Sequence, residues 1–315
     1  MSIRDSASTR RGPRLSIGLP VYNGQRYLEQ SVRSILGQSF GDFELIICDN
    51  ASTDGTRSIA EGFAGRDRRV RFYRNARNLG AARNFNLAFQ HASAPHFKWA
   101  CADDVLADGF LERAMEEFEG DPALVLCYGG VTLVDASGAP ISAYDQHLDL
   151  RSPRVEDRFL RAREHSGYLH VLQGVLRSDA LRRTGLMGAF PGSDETLMVE
   201  LSLHGTFHEI PHPMLHRRMH EQAASASHST EERQEHLDPR ARGTFAPWYW
   251  RRAYEHLRGV ARAPLPVAKR LALAASVLRS MIGGRDHLAR ELRDGLRWLR
   301  QRIASSERRL RLPDR

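Results

Sequence analysis

Apolar runs and amphipathic stretches alternate at short intervals through the first 120 residues. Arg14–Leu19 reads as a strand that breaks at Pro20-Val21-Tyr22-Asn23-Gly24, after which Tyr27, Leu28, Val32, Ile35 and Leu36 recur at helical spacing. Phe43–Cys48 is a nearly continuous apolar strand ending in Asp49-Asn50. Ala51–Gly55 is a turn, and Thr53 or Asp54 can cap the helix carrying Ile59, Ala60 and Phe63. Val70–Tyr73 is a third strand, and Asn78-Leu79-Gly80 opens a small-residue helix through Ala81, Ala82, Phe85, Ala88 and Phe89. The fourth strand holds Phe97, Trp99, Ala100 and Cys101 and ends at Asp103, with Asp108 as cap of a helix over Gly109–Phe118. Apolar strands alternating with helices through short connections predict a doubly wound, mostly parallel α/β sheet covered on both faces. The polar turns that follow the strands, Asn23-Gly24, Asp49–Gly55 and Asp103-Asp104, then share the ligand-binding edge of that sheet.

Beyond residue 120 the rhythm changes. Ala123–Tyr128 and Val131–Val134 read as two strands joined by Gly129-Gly130, while residues 140–165 give no assignable element. Gly167–Arg177 is apolar again, and Ser178 or Asp179 caps a short helix. Asp194-Glu195 head a Leu-rich helix ending at Gly205, and Phe207–Ile210 and Met214–Arg218 are short strands around Pro211 and Pro213. From Glu231 the chain is helical and basic. Three regions follow: an arm over 1–13 with the composition of a disordered segment, an α/β domain over 14–230, and a basic helical C-terminal extension over 231–315.

Lys and Arg exceed Asp and Glu by eight, and much of the excess lies beyond residue 250. Such a balance suits an anionic ligand or an acidic membrane surface; no nucleic-acid-binding module accompanies it. Cys48, Cys101 and Cys127 end strand-like runs without a CxxC, which reads as buried reduced thiols in a cytoplasmic protein. The N-terminus carries no apolar signal core, and no run reaches the length of a membrane span.

Adjacent carboxylates repel, so Asp103 and Asp104 are natural ligands for a divalent cation; a capping turn is the other reading of the pair. Asp49 can accept hydrogen bonds from a base or ribose, or close an Asx-turn. Gly80 permits close backbone approach, and Arg83 either meets a phosphate or faces water. Asn84 and Asn86 read as ties between helix and loop. Asp194 stands at a loop-to-helix junction, where an acid caps the helix it precedes.

Pro20-Val21-Tyr22-Asn23, Asp49–Thr56, Asn78-Leu79-Gly80 running on to Asn84 and Asn86, and Ala102-Asp103-Asp104-Val105-Leu106 occur in an order that resembles the family 2 glycosyltransferases. Gly192-Ser193-Asp194 before a Leu-rich helix and Arg218-Met219-His220 extend the resemblance, which covers roughly residues 14–225. The resemblance implies a GT-A-like fold and transfer of a sugar from a nucleotide-diphosphate donor to a glycan or lipid-linked acceptor, in cell-wall or polysaccharide biosynthesis. It implies donor contacts at Pro20, Tyr22, Asn23, Asp49, Gly80, Arg83, Asp104 and Arg218, a Mn²⁺ or Mg²⁺ ion at Asp103 and His220, and Asp194 as the base of an inverting displacement. Where the family commonly carries an acid two positions before Asp103, this chain has Cys101, a poor ligand for a hard cation that reads as a packing residue.

His204, His208, His212, His216 and His220 recur every fourth residue, yet Gly205, Pro211 and Pro213 forbid one helix, so only His220 is kept as a ligand, against a plain loop histidine. Glu221–Thr230 is small and polar, as a mobile lid would be. The basic tail is either a solvated appendage or oligomer contact, or an amphipathic surface leaning on anionic lipid at the inner membrane face with Trp248, Tyr249 and Trp250 at the interface. The rival functions are a degenerate sugar- or nucleotide-binding scaffold and a nucleotidyltransferase. The latter expects a Gly-rich basic loop where this chain has PVYNGQ.

Overall fold

The computed structural model describes residues 12–144, 147–148, 150–165, 169–221, 223 and 229–310. The expected arm, apart from Gly12 and Pro13, and most of the expected lid lie outside the described residues. The elements run β1 (Leu15–Val21), α1 (Leu28–Leu36), β2 (Phe43–Asp49), α2 (Thr56–Ala64), β3 (Val70–Arg74), α3 (Ala81–Gln90), β4 (His96–Trp99), β5 (Val105–Leu106) and α4 (Phe110–Gly120). They continue as β6 (Leu124–Val134), β7 (Pro140–Tyr144), α5 (Val155–Glu164), a 3-10 turn over Leu169–Gln173, β8 (Val175–Arg177), α6 (Ser178–Arg182), α7 (Ser193–Leu201) and β9 (Thr206–Arg218). The chain then turns wholly helical in α8 (Thr230–Leu237), α9 (Trp248–Arg262), α10 (Val267–Gly283) and α11 (Arg285–Leu310), with a 3-10 turn over Pro239–Ala241 after α8.

One mixed sheet in the order β3-β2-β1-β4-β8-β6-β9-β5, with β7 paired to β6, organises the described residues. β1, β2, β3 and β4 pair in parallel, as predicted, and every side chain of β1 and β2 is buried, which is why both read as mainly apolar runs, with Ser16 and Glu44 hydrogen-bonded to each other inside them. β8 reverses the direction between β4 and β6, and β6 and β9 are parallel again.

Two predicted breaks are absent. Gly129-Gly130 does not end a strand, because β6 runs through it opposite the Pro211–Pro213 segment of β9, itself continuous. The register slips there, and a Cβ on Gly129 would lie 2.3 Å from the His212 carbonyl oxygen, so the glycine admits the bulging partner strand. The fourth strand stops at Trp99 rather than Asp103, and Gly109, not Asp108, holds the N-cap position of α4.

The buried apolar cluster does not stop at residue 230: it includes Ala253 and Val260 of α9 and Leu273 and Val277 of α10. α9 lies along α7, where Arg262 pairs with the buried Glu200 carboxylate at 2.9 and 3.0 Å. His256 of α9 is buried against Phe159 of α5, and its Nε2 has no hydrogen-bond partner among the described residues. Burial, with the nearby charges of Arg163 and Arg252, pushes its pKa down from 6.5 to about 3.

Below pH 6.5 the unfolded chain therefore binds a proton that the folded chain refuses, and stability falls as pH falls. At pH 5 this group alone costs about 2 kcal/mol relative to pH 7. Asp104 acts in the opposite sense, since its folded pKa of about 6 lies above its ordinary 3.8 and proton uptake there stabilises the acid form. Urea unfolding of wild type and His256→Phe at the two pH values isolates the histidine: the variant loses about 2 kcal/mol less between them. Equal losses would remove His256 from the account.

Candidate active site

The loop Ala100–Asp104 connects β4 to β5, and β5 pairs antiparallel with β9 in the register Val105↔His216 and Leu106↔Leu215. Antiparallel pairing sets the residues just before β5 against those just after the end of β9. Asp104 Oδ1 accordingly accepts the Arg218 backbone N–H at 2.9 Å, and the Arg218 Nε donates to the Asp103 carbonyl at 3.0 Å. Two residues further on, the His220 ring folds back so that its Nε2 lies 3.1 Å from Asp103 Oδ2. The sheet register therefore brings together two groups 117 residues apart in sequence.

A cleft of about 430 Å³ opens over this pair. Pro20, Tyr22, Asn23, Arg26 and Tyr27 line it from the β1–α1 turn, and Asn50 from the end of β2. Asn78, Asn84 and Phe85 line it from the entry to α3, and Cys101, Asp103 and His220 form a further wall. Glu235, His236 and Pro239 complete it from α8 and the turn that follows. The Asn23 side chain accepts the Thr53 N–H at 2.9 Å, and Asn50 bonds Asn75, Asn78 and the Leu79 N–H, so the turns after β1 and β2 and the entry to α3 lock one another. Asn84 donates to the Cys48 carbonyl of β2, a helix-to-strand tie, while Asn86 exchanges two bonds with Met187 in the loop after α6, the helix-to-loop tie that the sequence suggested.

Within the acid pair the two carboxylates differ. Asp103 keeps 32 % exposure, whereas Asp104 keeps 5 % and is held by the Arg218 N–H and the Gln173 amide. Burial, then the Asp103 charge beside it, raises the Asp104 pKa to about 6. Asp104 is a buried anchor and does not line the cleft. Behind it lies Lys98, one of only two lysines in the chain, fully buried on β4 with its ammonium donating to the Gln173 carbonyl. Burial lowers its pKa to about 7. A lysine inside an apolar strand was the available sequence signal for this support, and it was missed.

Cys101 also lies closer to the chemistry than expected. Its sulfur and one carboxylate oxygen each of Asp103 and Asp104 lie within 4.8 Å of one another. Burial, reinforced by the two carboxylates, raises its pKa well above the ordinary thiol value, so the group is a neutral thiol.

Four further expected donor contacts sit elsewhere. Arg218, expected at the diphosphate, is 3 % exposed at the end of β9. Its guanidinium donates to the carbonyls of Asp103, Asp135 and Ala136 and to Gln30 Oε1. Arg83 is exposed and outside the cleft lining, on the wet face of α3. Asp49 is wholly buried; its carboxylate accepts the Ser52 N–H at 2.9 Å and faces the Arg74 guanidinium at 3.0 Å, the Asx-turn reading of that residue.

Gly80 does admit a close approach, but by the chain itself. With φ at +86°, a Cβ there would stand 2.3 Å from the Leu237 carbonyl oxygen at the end of α8. Gly80→Ala displaces α8 from the cleft and costs about 2–4 kcal/mol in chemical denaturation. A variant as stable as wild type would show that α8 is free to shift.

Asp194 occupies the first turn of α7, as expected, and Gly192 holds the N-cap position. Burial raises the Asp194 pKa, and the Glu195 N–H hydrogen-bonded to its carboxylate works against that rise. Asp194 is not among the residues lining the cleft. α8 stands between the two places: its Arg233 charge acts on Asp194 and Gln234 donates to the Ala189 carbonyl, while Glu235 and His236 face the cleft. The sequence did not point to Tyr27, Arg26, Glu235 or His236 as lining residues. Their periodicity reads as ordinary helix, and only the fold puts them at the opening.

The family model for glycosyl transferase family 2 matches residues 16–179. The putative teichuronic acid biosynthesis glycosyltransferase TuaG of Bacillus subtilis is 32 % identical over 132 residues, 42 % of this chain and 52 % of that one. A GalNAc(5)-diNAcBac-PP-undecaprenol beta-1,3-glucosyltransferase of Campylobacter jejuni is 27 % identical over 198 residues, 62 % of each chain. The chain spans about half the length of the first curated relatives it matches. In fold it resembles S. aureus TarS 1–349 solved in complex with UDP-GlcNAc, with a TM-score of 0.60 at 16 % identity over 93 % of this chain and 83 % of that one. Because the model matches more than half of the chain, including each strand-end turn that builds the cleft floor, the chain belongs to glycosyl transferase family 2.

Proposed function

We propose that the chain transfers a sugar from a nucleoside-diphosphate donor to a hydroxyl of a glycan or glycolipid, by direct displacement with inversion at the anomeric carbon. The observation that carries this reading is the pairing of Asp103 with His220 at 3.1 Å inside a cleft built from the turns after β1 and β2 and the entry to α3. A hard divalent cation fits an exposed carboxylate beside an imidazole, and the imidazole favours Mn²⁺ over Mg²⁺. Asp103 and His220 would hold it; once bound, it would neutralise charge on the departing diphosphate. Asp104 and the buried Lys98–Gln173 contact fix the backbone behind the ligands and stay out of reach of the substrate.

Arg26, stacked on the Tyr27 ring at 4.9 Å, is the arginine that lines the cleft and takes the diphosphate role expected of Arg83 and Arg218. Pro20, Tyr22, Asn23 and Asn50 present the surface for the nucleoside. In the reaction the acceptor oxygen bonds to the anomeric carbon as its bond to the diphosphate oxygen breaks. The hydroxyl proton passes to the Asp194 carboxylate. For that transfer α8, whose Glu235 and His236 line the cleft and whose Arg233 charge acts on Asp194, yields to the acceptor. TuaG and the Campylobacter enzyme, by their names, act in teichuronic acid synthesis and on an undecaprenol-linked glycan, which supports a cell-envelope or polysaccharide acceptor.

A donor-hydrolysis screen across UDP-, GDP- and dTDP-sugars, with Mn²⁺ or with EDTA, tests the reading. Metal-dependent release of one nucleoside diphosphate supports it, and binding of a nucleotide sugar without turnover on any acceptor mixture would favour the degenerate scaffold.

A further inference from the structure

The last two helices carry a surface that the cleft does not use. α11 docks through one face: His287 stacks on Tyr249, the Leu288 carbonyl accepts the Trp250 indole N–H, Glu291 accepts the Tyr249 and Trp250 amides, and the Trp298 indole donates to the Gly243 carbonyl. That periodicity turns Leu292, Leu296, Leu299 and Ile303 outward, with exposures of 56, 57, 47 and 52 %. α10 repeats the arrangement. Leu273 and Val277 are buried, while Val267, Leu271, Leu278 and Ile282 stand 62, 66, 49 and 67 % exposed. Each outward set follows the three-and-four spacing of a single helical stripe. Isolated exposed leucines are ordinary; an exposed apolar stripe on each of two consecutive helices is the kind of surface that marks an interaction site.

Charge identifies what the patch meets. Residues 1–266 hold 33 basic and 33 acidic side chains, so the whole net charge of +8 lies beyond them. Between Val267 and Ile303 nine Lys or Arg stand against three Asp or Glu. Arg293, Arg297 and Arg300 each follow a stripe leucine by one residue and are exposed, which sets a cationic row beside the apolar one.

We propose that α10 and α11 lie on an anionic lipid bilayer, the stripes entering the acyl boundary and the arginines meeting headgroup phosphates. An apolar stripe flanked by Arg is the physical requirement for such binding. A second copy of the chain would instead press two faces of like charge together. No helix among the described residues is long and apolar enough to cross a membrane, so the mode is adsorption in the interface plane. The surface is also not the aromatic trio that the sequence pointed to. Trp248 packs over Gly192, Tyr249 is stacked on His287, and Trp250 alone keeps 39 % exposure. The inference does not depend on sugar transfer in the cleft.

Co-sedimentation of the full chain with phosphatidylcholine vesicles, and with vesicles of equal phosphatidylcholine and phosphatidylglycerol, tests it at low and high salt. The chain pellets with the anionic vesicles only, and salt weakens the binding. A Leu292→Ser/Leu296→Ser/Leu299→Ser variant and an Arg293→Glu/Arg297→Glu/Arg300→Glu variant each lose about tenfold or more in partitioning. Both keep wild-type circular dichroism and soluble donor hydrolysis, because every altered side chain is exposed and none lines the cleft. Equal binding to neutral vesicles, or retention of binding by both variants, overturns the proposal. So does a dimer that the serine variant dissolves in a chain that ignores vesicles, which would assign the patch to a second copy.

Discussion

Asp103→Asn lowers sugar transfer by about a thousandfold or more, and metal-dependent binding of the donor falls with it. The size of the effect follows from the absence of a substitute. Asp104 is adjacent in sequence but buried, bonded to the Arg218 amide and Gln173, and raised to a pKa of about 6 by burial and by Asp103 itself. Cys101, where the family commonly has an acid, is a neutral thiol. His220 remains, and one imidazole is a weak site for a hard cation. Isothermal calorimetry with UDP in the presence of Mn²⁺ checks the assignment: wild type loses affinity when EDTA is added, and Asp103→Asn is weak in both conditions. His220→Ala falls between, about ten- to a hundredfold down, since it removes one of the two proposed ligands and leaves the Asp103 charge. Metal-dependent UDP affinity surviving in Asp103→Asn would sink the cleft chemistry.

Asp194→Asn lowers kcat by about three orders of magnitude while donor affinity stays near wild type. A general base must be ionised yet basic enough to take a proton, and burial moves the Asp194 pKa upward from the ordinary carboxylate value. The rate of wild type then rises with pH as Asp194 ionises, and the variant lacks that acidic limb. Glu195 titrates nearby, raised by burial and by Asp194, so Glu195→Gln is the control that leaves the limb in place. A structural role predicts a different pattern. An acid in the first turn of α7 favours the helix by about 0.3–1 kcal/mol, so its loss would lower the melting temperature and leave kcat intact. That outcome would return Asp194 to the helix terminus and leave the base unassigned.

The parallel half of the sheet could be read from the chain because its strands are buried on both faces. β1 and β2 admit almost nothing polar, and their ends are marked by Pro20–Gly24 and Asp49–Gly55. The antiparallel and bulged half could not. Gly129-Gly130 and the two prolines of β9 look like breaks until the strands face each other and the glycine makes room for His212. The site divides along the same line. Asp103 and His220 carry a family pattern and meet as expected. Arg218, in the same pattern, is taken up by three backbone carbonyls, and Asp49 by its own turn and Arg74. Sequence gives the residue type that phosphate recognition needs; whether its donors are already used depends on neighbours from distant segments.

By itself the amino-acid sequence determined the alternation of elements, the edge of the sheet where chemistry gathers, the carboxylate at its centre and the basic character of the last helices. Each of these rests on local period or on composition, which a chain carries before it folds. The tertiary structure alone decided that the Asp104 carboxylate is taken up by the Arg218 amide and Gln173, and which arginine reaches the cleft. It also decided that α8 closes one wall and that the stripes of α10 and α11, not Trp248–Trp250, face outward. Those outcomes turn on strand register and helix docking, where a shift of one residue moves a side chain from water to core.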